Sequence, residues 1–347
     1  LLTGSLTPKQ KKEIHTALAE GTLDFVVGTQ ALISKDVSFS ALALVVADEQ
    51  HRFGVAQRSA LSAKARNPHI LVMSATPIPR TLALMIYGDL NLSIIDELPP
   101  GRQRVDTFAV PGSYHERVYR FLRKHIAAGR QAYIVCPLVG GPDTIPNEKK
   151  TVTDYTLRLQ TEVFPDLRIG CVHGKMKARE KDAVMSAFAA GALDILVSTT
   201  VIEVGVDVPN AVVMVVENAE QFGLSQLHQL RGRVGRGQYK SYCILFSDAR
   251  SEETRARLKV MTETNDGFRI AQEDLELRGP GDFFGQRQHG LPALKVADLQ
   301  CDMALMQEAR RASDALLEAD PALSLPEHRA IAEKVRALFA ASGDGLN

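Results

Sequence analysis

Residues 4–29, GSLTPKQKKEIHTALAEGTLDFVVGT, and residues 174–199, GKMKAREKDAVMSAFAAGALDILVST, align without a gap at an offset of about 170 residues. Gly4/Gly174, Lys11/Lys181, Ala17/Ala187, Ala19/Ala189, Gly21/Gly191, Leu23/Leu193, Asp24/Asp194, Val27/Val197 and Thr29/Thr199 are identical pairs. A period of that length is domain-sized, which excludes a solenoid of short repeats. Each copy reads as a turn, an amphipathic helix, a glycine stop and a buried strand. In the first copy Thr7 and Gln10 have capping-box spacing, Pro8 suits the first helical position, and Ile14, Ala17 and Leu18 form the apolar stripe. Val184, Ala187 and Phe188 repeat that stripe in the second copy. The reading is α/β, with two related lobes.

Phe25-Val26-Val27, Ala41 to Ala47 and His69 to Met73 are short, nearly unbroken apolar runs, the pattern of parallel strands covered on both faces. Ala132 to Cys136, Leu167 to Val172, Ile195 to Val197, Ala211 to Val216 and Tyr242 to Phe246 continue it. Polar residues follow these runs at once, at the carboxyl ends of strands where open α/β sheets bind ligands. Pro99-Pro100-Gly101-Arg102 is the strongest breaker and reads as the linker between lobes, while Gly140 to Lys150 reads as a projecting loop. Beyond Ser251 the strand pattern stops; Glu252 to Thr264 and Leu299 to Ala319 look helical. Between them, Leu277 to Gln288 holds three glycines and a proline, which excludes a regular helix there. The expected domains are 1–100, the later part of a first lobe; 101–250, a second lobe; and 251–347, a helical C-terminal element.

At 347 residues, with 45% hydrophobic and 24% charged residues, the composition suits a globular protein of two domains and a smaller third element. No apolar stretch approaches the roughly 20 residues needed to cross a bilayer, and no signal-like leader is expected. Cys136, Cys171, Cys243 and Cys301 lie far apart, mostly inside apolar runs, and fit reduced thiols in a cytoplasmic protein. Net charge is zero, so any nucleic-acid binding must be local. A G-x-x-x-x-G-K-[ST] loop is absent from the sequence, so the first lobe is expected to be incomplete here.

Asp48-Glu49-Gln50-His51 ends an apolar run. Two adjacent carboxylates at a strand mouth suit phosphoryl transfer: Asp48 to hold the water shell of Mg2+, Glu49 to orient the hydrolytic water beside it, and His51 to sense the phosphate. Roughly 180 residues later, Gln229-Leu230-Arg231-Gly232-Arg233-Val234-Gly235-Arg236 offers arginines at a spacing suited to phosphate oxygens. Asp207 is a candidate for ribose or phosphate contacts, with a structural turn as the competing reading. Ser74-Ala75-Thr76 follows another apolar run and is a candidate to couple phosphate state to lobe movement. Gly28-Thr29 and Thr199-Thr200 occupy corresponding places in the repeat, where hydroxyls and free amides can grip a phosphodiester backbone without reading sequence. His173 lacks companions at ligand spacing and reads as a hydrogen-bonded histidine. Arg278, Arg287 and Gln288 belong to a specified, packed loop whose role chemistry alone does not give.

These stretches resemble the successive motifs of the RecG family of bacterial superfamily 2 DNA helicases. The resemblance lies in Gly28 to Leu32, Asp48 to Val55, Ser74 to Thr81, Ser198 to Asn210 and Gln226 to Gly237, and most discriminatingly in Arg278 to Pro292. It implies two RecA-like parallel-sheet lobes, the first incomplete, and a C-terminal helical hairpin or translocation element. It further implies ATP and Mg2+ as cofactors, with Gln229, Arg233, Arg236 and Asp207 among the nucleotide contacts. Closure of the lobes would bring Arg233 and Arg236 to a γ-phosphate held opposite Glu49, and Arg278 would turn closure into motion along duplex DNA. The implied activity is translocation on branched double-stranded DNA, in fork reversal and Holliday junction migration, by a monomer in the bacterial cytoplasm. Single-strand DNA-binding protein is a candidate partner; a membrane is not. The 347 residues alone are expected to show negligible ATPase activity. The rival readings are a transcription-repair coupling translocase, a DExH RNA helicase and a non-enzymatic DNA-binding module.

Overall fold

A computed structural model describes residues 1–4, 6–34, 36–48, 64, 68–74, 93–99, 101–137, 148–199, 207–278 and 303–342. The chain divides into two compact units, Leu1–Pro77 and Ile78–Asn347.

In the first unit, helix α1 (Pro8–Glu20) starts as its sequence dictates. The Thr7 hydroxyl accepts from Gln10 N (3.4 Å), Gln10 Oε1 accepts from Thr7 N (3.1 Å), and Pro8 opens the helix. Gly21 ends it in the left-handed region at φ 73°. Strands β1 (Leu44–Ala47) and β2 (His69–Val72) pair in parallel with Ala47 opposite Val72. Phe25 to Val27, expected as a strand, is not one: among the described residues its neighbourhood forms only the isolated bridge Leu2–Gly28, and Phe25 is 79% exposed. An apolar run becomes a strand only where a partner offers a ladder.

The second unit is built on a six-stranded, wholly parallel sheet in the order β3-β8-β7-β4-β6-β5. The strands are β3 (Val105–Val110), β4 (Gln131–Val135), β5 (Ile169–Val172), β6 (Ile195–Ser198), β7 (Ala211–Val216) and β8 (Ser241–Phe246). Successive side chains alternate between the faces. Tyr133, Val135, Leu196, Met214, Val216, Cys243 and Leu245 pack on one side with α4 (Ala178–Ala189), α5 (Leu224–Arg231), α6 (Glu252–Glu263) and α7 (Gly267–Arg278). Ile134, Ile195, Val197, Val215 and Ile244 pack on the other with α2 (His115–Ala127) and α3 (Glu148–Arg158). Each wholly buried Leu or Ile contributes about 1.5–3 kcal/mol, so this two-faced core dominates the unit's stability. Burial in it pushes the Cys243 thiol up to about 12. Arg102 N donates to Pro99 O at 3.2 Å. Helices α8 (Met303–Ala319) and α9 (Arg329–Ser342) follow, joined through Asp320, which accepts from Ser324 N, Leu325 N and His328 Nδ1 within 3.0 Å.

The internal repeat extends to hydrogen bonds. Lys11 Nζ donates to Gly4 O at 2.9 Å and Lys181 Nζ to Gly174 O at 2.8 Å. Gly21 and Gly191 share φ values of 73° and 74°. Thr29 N bonds Leu2 O (3.2 Å) as Thr199 N bonds Val172 O (3.3 Å). One local design is used in both units.

Candidate nucleotide and nucleic-acid site

Asp48 follows β1 directly and is exposed; Ser74 stands two residues beyond the end of β2. Met73 N donates to Ala47 O at 2.8 Å, which sets both residues at one carboxyl edge on adjacent strands. An exposed carboxylate there fits a metal held through its water shell, as Mg2+ is commonly held. Glu49, His51 and Thr76 lie outside the described residues, as do Thr200, Arg287 and Gln288. Among the described residues no group of three His, Cys, Asp or Glu is placed to hold a metal.

The phosphodiester grip expected of Gly28-Thr29 and Thr199 needs correction. The Thr29 and Thr199 amides are not free, because each donates to the neighbouring segment, to Leu2 O and Val172 O. The side chains also differ: Thr29 is exposed, whereas Thr199 is fully buried and its Oγ1 has no hydrogen-bond partner. Gly28 is required sterically, since a Cβ there would lie 2.4 Å from Leu2 O. His173, expected to be hydrogen-bonded, is 5% exposed with its Nδ1 unpartnered.

The arginine segment lies at the opposite edge of the second sheet from Thr199. Gly235, at φ 79°, sits against Gln103 O and Val105 at the start of β3, and Gly237 sits against Pro209 O just before β7. A Cβ at Gly235 would meet Val105 Cγ2 at 2.8 Å, so only glycine lets the loop lie this close. Gln103 N donates to Gly235 O at 3.2 Å and pins it. Arg236 donates from Nε to Gly232 O (2.9 Å) and pairs with Asp207 at 3.5 Å. Asp207 is thus brought to the arginines. Arg102 also donates to Gly232 O (3.1 Å); burial, then the charge of Arg236, lowers its pKa, with Asp207 opposing. Tyr133 is pushed up to about 12 by burial, while Arg233 and Arg236 pull against the rise. Gln229 lies half-buried in the last turn of α5. The expectation that the functional residues all follow strand ends fails for this loop.

Arg231 is a different residue from its neighbours. Read as a third phosphate-facing arginine, it is instead 2% exposed and donates to Met261 O (2.9 Å) and Thr264 O (2.8 Å) where α6 gives way to α7. Its other arm meets His228 Nδ1 at 3.0 Å. Burial, then Arg231 and Arg102, lowers His228 to about 4, so the ring is neutral and Nδ1 accepts. Arg278 is the last residue of α7, which joins it in sequence to the helix that Arg231 ties down.

Sequence reasoning missed Arg102, which looked like part of a linker, and a buried cluster at the carboxyl edge. There Glu217, after β7, accepts from Tyr155 Oη (2.8 Å) and meets His115 Nε2 at 3.0 Å. The His115 ring stacks on Phe246 at 3.9 Å between centroids. These residues are far apart in sequence and no local pattern unites them.

Three family models match in succession: DEAD/DEAH box helicase over residues 1–85, helicase conserved C-terminal domain over 115–238, and ATP-dependent DNA helicase RecG, domain 3, C-terminal, over 264–342. The chain is 46% identical over 347 residues to ATP-dependent DNA helicase RecG of Bacillus subtilis, covering 100% of this chain and 51% of that protein. It is 54% identical over 310 residues to RecG of Thermotoga maritima, covering 89% and 40%. Among solved structures, RecG bound to a three-way DNA junction matches with 49% identity and a TM-score of 0.66, covering 88% of this chain and 39% of that one. The helicase Lhr of Mycobacterium smegmatis, at 19% identity and a TM-score of 0.53, shares the fold. The chain spans about half the length of the curated relatives it matches, or less.

Proposed function

We propose, from the premise that this chain is the C-terminal helicase portion of a RecG protein, that it is the motor of an ATP-dependent translocase acting on branched double-stranded DNA. The observation that carries the reading is the clamped loop Gly232–Gly237, which sets Arg236 beside Asp207 and carries Arg233 on the same turn. Phosphoryl transfer leaves the protein little covalent work, and cations placed on the developing charge supply much of the rate. Asp48 would hold Mg2+ through its water shell, and Glu49 would orient the water that attacks ATP. When bound, the metal neutralises charge on the phosphates. Arg231 fastens the loop's parent helix to the α6–α7 junction, and α7 ends in Arg278. That path is a route from nucleotide state to the DNA-moving segment with Arg287 and Gln288. Thr29, which is exposed, Ser74, Thr76 and Thr200 serve the DNA side.

Fork reversal and Holliday junction migration, a monomeric state, a cytoplasmic location and association with single-strand DNA-binding protein belong to the same proposal. The three described cysteines are free thiols, which agrees with that compartment. The test is ATP turnover by the full-length protein on a three-way junction. Arg233→Ala with Arg236→Ala should lower kcat by about 10³-fold or more while nucleotide binding persists. Turnover within threefold of wild type would end the reading.

A further inference from the structure

We propose that Arg102, on the segment ahead of β3, is a third arginine on the terminal phosphate of the nucleotide, beside Arg233 and Arg236. This rests on the translocase reading and adds to it a residue from outside the arginine loop. Arg102 Nη2 donates to Gly232 O at 3.1 Å, and Arg236 Nε donates to the same oxygen at 2.9 Å. One carbonyl thus gathers two guanidinium groups from segments far apart in sequence. The approach is close: a Cβ on Gly232 would lie 3.4 Å from Arg102 Nη2, so the guanidinium lies against the start of the loop. Backbone bonds fix the segment on either side, Arg102 N to Pro99 O and Gln103 N to Gly235 O, each at 3.2 Å.

Holding the loop does not require a second charge. Gln103 N already pins Gly235 O with a neutral amide, and Arg236 already serves Gly232 O. A half-buried cation beside a like charge suffers desolvation and repulsion, and Arg102 registers both: burial first, then Arg236, lowers its pKa. Among the described residues Asp207 opposes them, but its carboxylate is exposed and 3.5 Å from Arg236, which makes it a weak counter-ion. Two cations sharing one weak counter-ion form a site that a further anion stabilises. A guanidinium carries five N–H donors, and among the described residues the Arg102 side chain uses one, on Gly232 O. The remaining fork suits phosphate oxygens. Its neighbours select which phosphate: Arg236 and Asp207, at the same amino edge of the sheet, are nucleotide-facing in the reading above.

The experiment measures ATP turnover by the full-length protein on a three-way junction. Arg102→Ala should lower kcat about 10²-fold with little change in KM, the loss expected when a donor acts on charge that develops in the transition state. Arg102→Gln, which keeps a neutral donor for Gly232 O and removes the charge, should fall as far. Arg102→Lys, which keeps the charge without the fork, should recover about tenfold of the loss. All three should melt as wild type does. Arg104→Ala, at an exposed arginine two residues on, should turn over ATP at the wild-type rate. Wild-type turnover by Arg102→Gln would make Arg102 an anchor for Gly232 alone and overturn the proposal. So would Arg102→Ala within about threefold of wild type, or an equal loss in Arg104→Ala. Wild-type turnover by Arg233→Ala with Arg236→Ala would instead remove the translocase reading, and the role of Arg102 with it.

Discussion

His228 and His115 sit in the same unit and respond to acid in opposite directions. His228 is neutral in the fold, lowered to about 4 chiefly by burial and by Arg231. Its contribution is complete above the ordinary histidine value and is lost as pH falls from about 6.5 towards 4, by up to about 3 kcal/mol. His115 is raised, first by its hydrogen bond to Glu217 and then by the charges of Glu217 and Asp248 acting against burial. Its contribution is complete below about 6.5 and is lost as pH climbs through its folded value. Thermal melts from pH 4 to 9 should therefore show two flanks. His115→Gln should flatten the alkaline flank and leave the acid one, and a variant that lost the acid flank instead would contradict the assignment. Neither role was legible in the sequence: a histidine two residues before Leu230 and another after a Gly-Ser-Tyr turn acquire meaning only from partners far away in sequence. Arg231 misled for the same reason, since its spacing from Arg233 matches a phosphate clamp while its burial does not.

Among the elements, glycines separate by what surrounds them. Gly191 ends α4 at φ 74° with no atom within 4 Å of an added Cβ, whereas Gly235 at φ 79° would drive a Cβ into Val105 and Gln103 O. Gly191→Ala should cost only the backbone strain, about 1 kcal/mol. Gly235→Ala should cost about 2–3 kcal/mol and lower ATP turnover, because it displaces the loop that carries Arg236. Urea melts with parallel turnover assays would show it; equal costs at the two positions would refute the distinction. Gly21 and Gly191 were readable as helix stops because the repeat places them after matched stripes. Helix α2 carries a legible apolar stripe, Val118, Tyr119, Leu122 and Ile126, all buried, whereas α7 is weakly periodic and tertiary packing decides it.

At the scale of the molecule, the α/β class, the repeat and the helicase motifs were legible because they are local patterns: apolar runs, glycine stops and short signatures. The strand order was not, because pairing partners come from distant segments, and neither was the placement of the arginine loop on the amino edge. That edge is reached through Gly235 and Gly237, whose role appears only when Val105 and Pro209 are beside them. Cys243, on β8 one strand in from the sheet's edge and wholly enclosed, gives the second unit a built-in chemical clock. Iodoacetamide reacts with thiolate, so this sulfur should be carbamidomethylated only as often as the packing around β8 opens. Mass spectrometry of a peptide spanning Cys243 would then time whole-unit opening; labelling as quick as in urea would mean that the sheet opens far more readily than its packing implies.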